Sequence, residues 1–124
     1  MANILVIEDE DNIAVALDFL LTREGHSHER IATGAGAVDK IRELHPDLVL
    51  LDVMLPEVSG YQIVQDVRAD DGLSDVRVLM MTARGSQVER RKGMALGADG
   101  FIAKPFELSE LRAEMARLLD GSPC

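Results

Sequence analysis

Cysteine, tryptophan and long apolar segments are scarce or absent in this sequence of 124 residues. The one cysteine, Cys124, predicts neither a disulfide framework nor a cysteine metal site. No run of about 18 apolar residues is present, so no segment is predicted to span a membrane. The first residues, MANILVIEDE, have no basic stretch and no cleavage site, and we expect no signal peptide. These absences favour a globular protein of the reducing cytoplasm.

Basic residues are too few to predict a nucleic-acid-binding surface. The chain has 13 Lys and Arg against 22 Asp and Glu, which gives a formal net charge of −9. Binding to a phosphate backbone relies on clustered Lys and Arg. The small basic cluster Arg90, Arg91 and Lys92 is more typical of a solvated helix face. We therefore expect neither a nucleic-acid nor a membrane partner.

Five short strand-like segments alternate with helical patterns. The segments are NILVI (3–7), HSHERI (26–31), DLVLL (47–51), RVLMM (77–81) and GFIA (100–103). The first, third and fourth are almost continuously apolar, as parallel strands buried on both faces are. Apolar residues recur at helical spacing between and after these segments, as in Ile13, Leu17, Leu20 and Leu21, in Val38, Ile41 and Leu44, and in Leu108, Leu111, Met115 and Leu118. This alternation predicts one (βα)₅ domain of the α/β class with a parallel sheet, in which the polar second strand lies at an edge.

Two capping-box patterns indicate where helices begin, namely Ser59 with Gln62 and Ser86 with Glu89. We expect the domain to comprise residues 1–120, followed by a short tail at residues 121–124.

Polar side chains stand where four of the predicted strands end. Glu8 and Asp9 follow the first strand, Asp52 the third, Thr82 the fourth and Lys104 the fifth. Any one of them alone is readily explained as a turn, cap or surface residue. Because the carboxyl ends of parallel strands share one edge, where open α/β sheets bind ligands, we expect the five side chains to meet in one shallow pocket.

Three carboxylates, an ammonium and a hydroxyl suit phosphoryl transfer. Packed carboxylates repel one another, so at least one pKa should rise unless a cation binds. Oxygen ligands with open positions suit Mg²⁺, with Mn²⁺ as an alternative. A carboxylate beside such an ion can attack phosphorus and form an aspartyl phosphate. The cation, the ammonium and the hydroxyl can then neutralise the three equatorial oxygens of the transferring group.

The motifs ILVIEDE, DLVLLDVMLPEVSG, VLMMTAR and GADGFIAKPF follow one another along the chain. With them the sequence strongly resembles the receiver domain of bacterial two-component response regulators, the CheY-like superfamily, over essentially its whole length. The resemblance implies a flavodoxin-like three-layer fold with strand order 2-1-3-4-5.

The resemblance also implies roles for individual residues. Asp52 would be the phosphoacceptor and a metal ligand. Asp9 would bind Mg²⁺ directly, Glu8 would reach it through water, and Met54 would supply its backbone carbonyl. Lys104 would pair with the phosphoryl group through its ammonium.

The conformational switch of the family involves two further positions. Thr82 would hydrogen-bond the phosphoryl group, and Phe101 would occupy the aromatic switch position, where Tyr is frequent. The Lys104–Pro105 peptide bond would be cis. Met54 and Arg84 stand where family members border the path of attacking water, and neither offers a general base, which predicts slow loss of the phosphoryl group.

The resemblance implies partners as well. The donor would be a histidine kinase or a histidine phosphotransfer protein, and the output partner or effector domain is unknown. The domain would catalyse only its own phosphorylation and slow autodephosphorylation, and would signal through the fourth helix, fifth strand and fifth helix, roughly residues 86–119. Gly100 and Glu114 replace the usual Asp and Arg of the branch that dimerises through this face, which leaves open a monomer or a phosphorylation-dependent homodimer.

Two other classes remain as alternatives. Phosphatases of the haloacid-dehalogenase type also form an aspartyl phosphate with Mg²⁺, but their D-x-D motif on the first strand is replaced here by EDED around Asp9. A flavin-binding module of flavodoxin type would share the topology. It would need aromatic residues around the ring, and this chain has one Tyr, three Phe and no Trp.

Overall fold

The computed structural model describes residues 2–83 and 87–120. Within them, strands and helices alternate as the sequence predicts, with an additional 3₁₀ turn at Asp71–Leu73. The elements are β1 (Asn3–Ile7), α1 (Asp11–Arg23), β2 (Ser27–Ile31), α2 (Ala37–Leu44), β3 (Leu48–Asp52), α3 (Gly60–Ala69), β4 (Arg77–Thr82), α4 (Gln87–Leu96), β5 (Gly100–Ala103) and α5 (Leu108–Asp120). Ser86 of the second capping box, Arg84 and the predicted tail at 121–124, which includes Cys124, lie outside the described residues.

The five strands form one sheet in the order β2-β1-β3-β4-β5, and every neighbouring pair is parallel. This confirms the flavodoxin-like strand order and the edge position of β2. Each strand begins and ends within one residue of its predicted bounds. Among the described residues, no helix has the length and hydropathy of a membrane-spanning segment.

Helices cover both faces of the sheet and create two separate cores. Leu5 and Ile7 of β1 point into a core shared with α2 and α3, whereas Ile4 and Val6 point into one shared with α1 and α5. All five residues of β3 are buried. Both faces of β3 are covered, which explains why it is apolar up to its last residue, Asp52.

The β3–α3 connection places a helix directly against the end of the central strand. Ser59 caps α3 by accepting a hydrogen bond from the backbone N–H of Tyr61 at 3.2 Å. The Gln62 side chain does not complete the predicted capping box and donates to Asp66 instead. Gly60 donates its backbone N–H to the Val53 carbonyl at 3.0 Å.

Gly60 is required by this close approach. A Cβ at Gly60 would lie 2.3 Å from the backbone oxygen of Asp52 and 2.8 Å from the Cα of Val53. Neither atom belongs to a flexible side chain, so the backbone itself would have to move. The absence of a side chain at Gly60 thus fixes the start of α3 next to Asp52.

Adding one methyl group at Gly60 should therefore be costly. We expect Gly60→Ala to lower the free energy of unfolding by about 3 kcal/mol, because the new Cβ collides with backbone atoms. The control is Gly25, which follows α1 with φ of 79° and has no atom within 4 Å of the position that a Cβ would take. Gly25→Ala should cost only the backbone strain of about 1–2 kcal/mol. Urea unfolding measures both, and an equal or larger loss for Gly25→Ala would contradict this account.

Candidate functional site

The carboxyl ends of the strands bring the predicted polar residues to one edge of the sheet. The side chains of Glu8, Asp9 and Asp52 each offer a carboxylate oxygen, and these atoms lie within 4.8 Å of one another. Glu8 and Asp52 are buried, whereas Asp9 is exposed. Thr82, the last residue of β4, is also buried. Lys104 follows β5 and reaches the carboxylates from that side.

Lys104 places its ammonium group between the two buried carboxylates. Its Nζ lies 2.6 Å from Oε1 of Glu8 and 3.3 Å from Oδ2 of Asp52, and its side chain is 8% exposed. Burial alone would lower the pKa of Lys104, but the hydrogen bond to Glu8 and the charge of Asp52 outweigh it and raise this pKa. Lys104 therefore stays protonated. One ammonium faces two buried carboxylates, which leaves an excess of negative charge at the strand ends.

This excess of negative charge makes ionisation of Asp52 less favourable. Burial and the neighbouring charge of Glu8 raise its pKa to about 7, against the opposing effect of Lys104. Its Oδ1 accepts a long hydrogen bond, 3.3 Å, from the backbone N–H of Met54. A cation bound beside Asp52 would relieve the repulsion that raises the pKa.

The donor set fits Mg²⁺. Three carboxylate oxygens lie close together, and the exposed Asp9 leaves one side open to the water ligands that Mg²⁺ retains. The Met54 backbone lies beside Asp52, while its side chain is 56% exposed. The assignment of its carbonyl as a ligand stays a prediction.

Phe101 lies on β5 with its ring buried, 4% exposed, in the core shared with α2 and α3. The Lys104–Pro105 bond is cis, as the resemblance implies. Arg90 of the basic cluster donates through Nη1 to the backbone oxygen of Phe101 at 3.4 Å. Arg84 lies outside the described residues.

Sequence reasoning missed one group of residues beside the site. The hydroxyl of Tyr61, on α3, donates a hydrogen bond to the carboxylate of Glu89 on α4. The Nζ of Lys92, also on α4, lies 4.3 Å from the centroid of the Tyr61 ring. All three line an open cavity of about 490 Å³ whose lining also includes Met54 and Thr82. Lys92 is therefore not simply part of a solvated basic face.

The fold and this site define an α/β domain with a flavodoxin-like sheet and an acidic cluster at its strand ends, and comparison with known proteins identifies the family. Residues 4–116 match the family model of the response regulator receiver domain. The chain belongs to this family. Membership accounts for the acidic cluster and the lysine at the strand ends without invoking a phosphatase of the haloacid-dehalogenase type or a flavin-binding module.

Relatives of known role include whole response regulators. The chain is 38% identical over 119 residues to the sensory transduction protein RegX3 of Mycolicibacterium smegmatis, which covers 96% of this chain and 51% of that protein. It is equally similar to the phosphate regulon transcriptional regulatory protein PhoB of Rhizobium meliloti, over 96% of this chain and 52% of the relative. The chain thus spans about half the length of these relatives.

Solved structures share the whole fold. The chemotaxis protein CheY4 of Vibrio cholerae superposes with a TM-score of 0.87 at 29% identity, covering 95% of this chain and 98% of that one. The receiver domain of a sensor histidine kinase of Pseudomonas aeruginosa superposes with a TM-score of 0.88 at 28% identity, covering 98% of both chains. That structure has a magnesium ion coordinated in its active-site cleft.

The raised pKa of Asp52 predicts a pH-dependent cost of folding in the absence of metal. The folded-state pKa of about 7 exceeds the ordinary value of 3.8, so the folded protein binds more protons than the unfolded chain between these pH values. The stability contributed by protonated Asp52 is therefore complete below about pH 4 and is lost as the pH rises through about 7.

Asp52→Asn removes this dependence because the amide does not ionise. With a chelator present, we expect the variant to exceed the parent in free energy of unfolding by about 2–4 kcal/mol at about pH 8, and by much less at about pH 5. Urea unfolding at both pH values measures the difference. Asp71→Asn, which removes an exposed carboxyl outside the cluster, is the control. A difference that does not change with pH would contradict the burial argument.

Proposed function

We propose that this domain accepts a phosphoryl group on Asp52, in a Mg²⁺-dependent transfer from a phosphohistidine of a histidine kinase or a histidine phosphotransfer protein. The observation that carries the proposal is the position of Asp52, buried at the end of the central strand with Glu8 and Lys104 against it and the exposed Asp9 beside it. Such a carboxylate is a nucleophile toward phosphorus.

The residues of the chain divide the chemistry. An Asp52 carboxylate oxygen forms a bond to phosphorus while the nitrogen–phosphorus bond of the donor breaks, and the imidazole leaves with the electron pair. Lys104 is within reach of Asp52 and stabilises the negative charge on the phosphoryl oxygens. The hydroxyl of Thr82, on the neighbouring strand, donates to a phosphoryl oxygen. Mg²⁺, held by Asp9, Asp52 and the Met54 carbonyl with Glu8 behind a water, would supply further positive charge.

One observation and one comparison support the metal requirement. The acidic cluster fits Mg²⁺ by its donor atoms, and the similar receiver domain from Pseudomonas aeruginosa coordinates magnesium in its cleft.

Beyond accepting and slowly losing the phosphoryl group, the domain acts through a partner, which is an output protein or effector domain. The contact face is α4, β5 and α5.

The buried Phe101 links the site to that face. Its ring packs under α4, and its strand runs into Lys104. Movement of Thr82 toward a phosphoryl group would change the space next to β5, so the packing of Phe101 reports the state of Asp52. Phosphorylation then shifts an existing equilibrium between two arrangements of this face.

Labelling tests the phosphoacceptor. Incubation with acetyl phosphate and Mg²⁺ should add one phosphoryl group, detected by mass spectrometry and removed by hydroxylamine, because an acyl phosphate reacts with this nucleophile. Asp52→Asn should abolish the mass increase, whereas Asp71→Asn should be labelled like the parent. Undiminished labelling of Asp52→Asn would refute the proposal.

Metal binding should be visible without phosphorylation. Mg²⁺ at about 100 times its dissociation constant should stabilise the folded protein by about 2.7 kcal/mol, since it binds the folded acidic cluster. Asp9→Asn should lose most of the increase in melting temperature, and without metal it should be neutral or stabilising because carboxylate repulsion is relieved. A melting temperature indifferent to millimolar Mg²⁺ would count against the assigned ligands.

A further inference from the structure

Helix α4 is held to the domain by little apolar packing. Within Gln87–Leu96, all of which the structure describes, Gly93 alone is buried, and Leu96 at the carboxyl end packs against the core while partly exposed. By contrast, α1 and α3 each bury four residues. Polar contacts therefore contribute unusually much to the position of α4. Losing a polar contact should displace α4 more readily than losing a similar contact would displace α1 or α3.

One polar attachment of α4 close to Asp52 is the group Tyr61, Glu89 and Lys92, termed the α3–α4 clamp below. The Tyr61 hydroxyl donates to Glu89, and Lys92 lies over the face of the Tyr61 ring, 4.3 Å from its centroid. Glu89 and Lys92 are three residues apart on α4, so both project from the same side of the helix. One tyrosine is thereby bound by two residues of α4 that lie about one turn apart.

The clamp is rigidly connected to Asp52. Tyr61 follows Gly60, whose backbone packs against the Asp52 carbonyl, and the backbone N–H of Tyr61 is held by the Ser59 cap. The cavity that the clamp lines is also lined by Thr82. The clamp thus joins the phosphoacceptor end of β3 to α4 beside a cavity that includes Thr82.

The same helix contacts the switch residue. A Cβ at Gly93 would lie 3.1 Å from Cδ2 of Phe101, so the bare face of α4 rests on the aromatic ring. Any displacement of α4 alters the packing of Phe101, and any rotation of Phe101 presses on α4. The clamp and Phe101 therefore act on one movable element.

We infer that Tyr61, Glu89 and Lys92 are positioning residues that hold α4 in the unphosphorylated arrangement and so set the cost of the switch. The inference rests on the function proposed above. A contact present in only one of two conformations shifts the equilibrium by the free energy of that contact. Removing the clamp should therefore favour the phosphorylated arrangement.

Beryllofluoride, which mimics a phosphoryl group on an aspartate, measures this bias. Tyr61→Phe removes the hydroxyl and keeps the ring under Lys92. We expect beryllofluoride with Mg²⁺ to bind this variant about three- to tenfold more tightly, as the loss of one partly exposed hydrogen bond implies. Glu89→Gln should act in the same direction, and the double variant should gain less than the two single gains combined, because both remove one interaction.

Two substitutions that each remove one positive charge from α4 test the role of Lys92. Lys92→Gln should raise the affinity, whereas Arg91→Gln, which removes the same charge from an exposed neighbour on α4, should leave it unchanged. Titrations followed by the amide NMR signals around Asp52 give the dissociation constants. Equal effects of the two substitutions would assign the change to the net charge of α4 and overturn the role of Lys92.

The chain contains one tyrosine and no tryptophan, so its intrinsic fluorescence reports on Tyr61 alone. A phenol that donates to a carboxylate is quenched, because the excited hydroxyl transfers its proton. Emission should rise when beryllofluoride binds the parent. It should start high in Glu89→Gln and change little there.

The outcomes separate the inference from the proposed function. Binding at Asp52 with unchanged affinity in Tyr61→Phe and Glu89→Gln, or with unchanged parent fluorescence, overturns the clamp alone. Weaker binding by both variants would show that the clamp supports the phosphorylated state, which reverses the inference. If beryllofluoride leaves the amide signals around Asp52 of the parent unmoved, the proposed function fails and the inference falls with it.

Discussion

The arrangement of the strand ends depends on the ammonium group of Lys104, which lies between the buried carboxylates of Glu8 and Asp52. Glu8 and Asp52 are almost fully removed from water, where an unpaired carboxylate is very unfavourable. Lys104 neutralises only part of their charge, and the remaining negative charge makes the site receptive to a cation. The parallel sheet creates this situation, because it aligns the ends of β1, β3 and the segment after β5 at one edge. A site of this kind trades stability for an excess of negative charge that favours a cation.

The fold can hold this excess negative charge because the strands and the helix next to the site are rigidly packed. The strands that end at the site are covered on both faces by separate cores, so their ends cannot easily separate to admit water. Gly60 brings the start of α3 into contact with the backbone of Asp52, which leaves the carboxylate little freedom. Stability stored in the two cores thus offsets the repulsion concentrated at the edge of the sheet.

The sequence was sufficient to predict the strands and the meeting of Glu8, Asp9, Asp52 and Lys104, because strand periodicity and parallel topology determine which residues share an edge. It was not sufficient for contacts between helices. The Tyr61–Glu89 hydrogen bond joins residues 28 positions apart, and helical periodicity contains no information on which helices adjoin. The capping box failed for a local reason. Gln62 has Asp66 one turn ahead on the same face of α3, and this partner competes with the backbone of Ser59.

The two ends of α4 are anchored differently, which decides where a displacement can occur. At the carboxyl end, the Arg68 guanidinium donates to the backbone oxygens of Gly97 and Val76, both at 2.7 Å, and to Asp99 at 2.6 Å. Arg68 belongs to α3, so these bonds tie the residue after α4 to α3 and to the residues just before β4 and β5, through a planar group that fits several acceptors at once. Nearer the amino end, which follows Thr82, Tyr61 of α3 contacts Glu89 and Lys92. A movement that starts at Asp52 should therefore displace the amino end of α4 about a carboxyl end that Arg68 keeps in place.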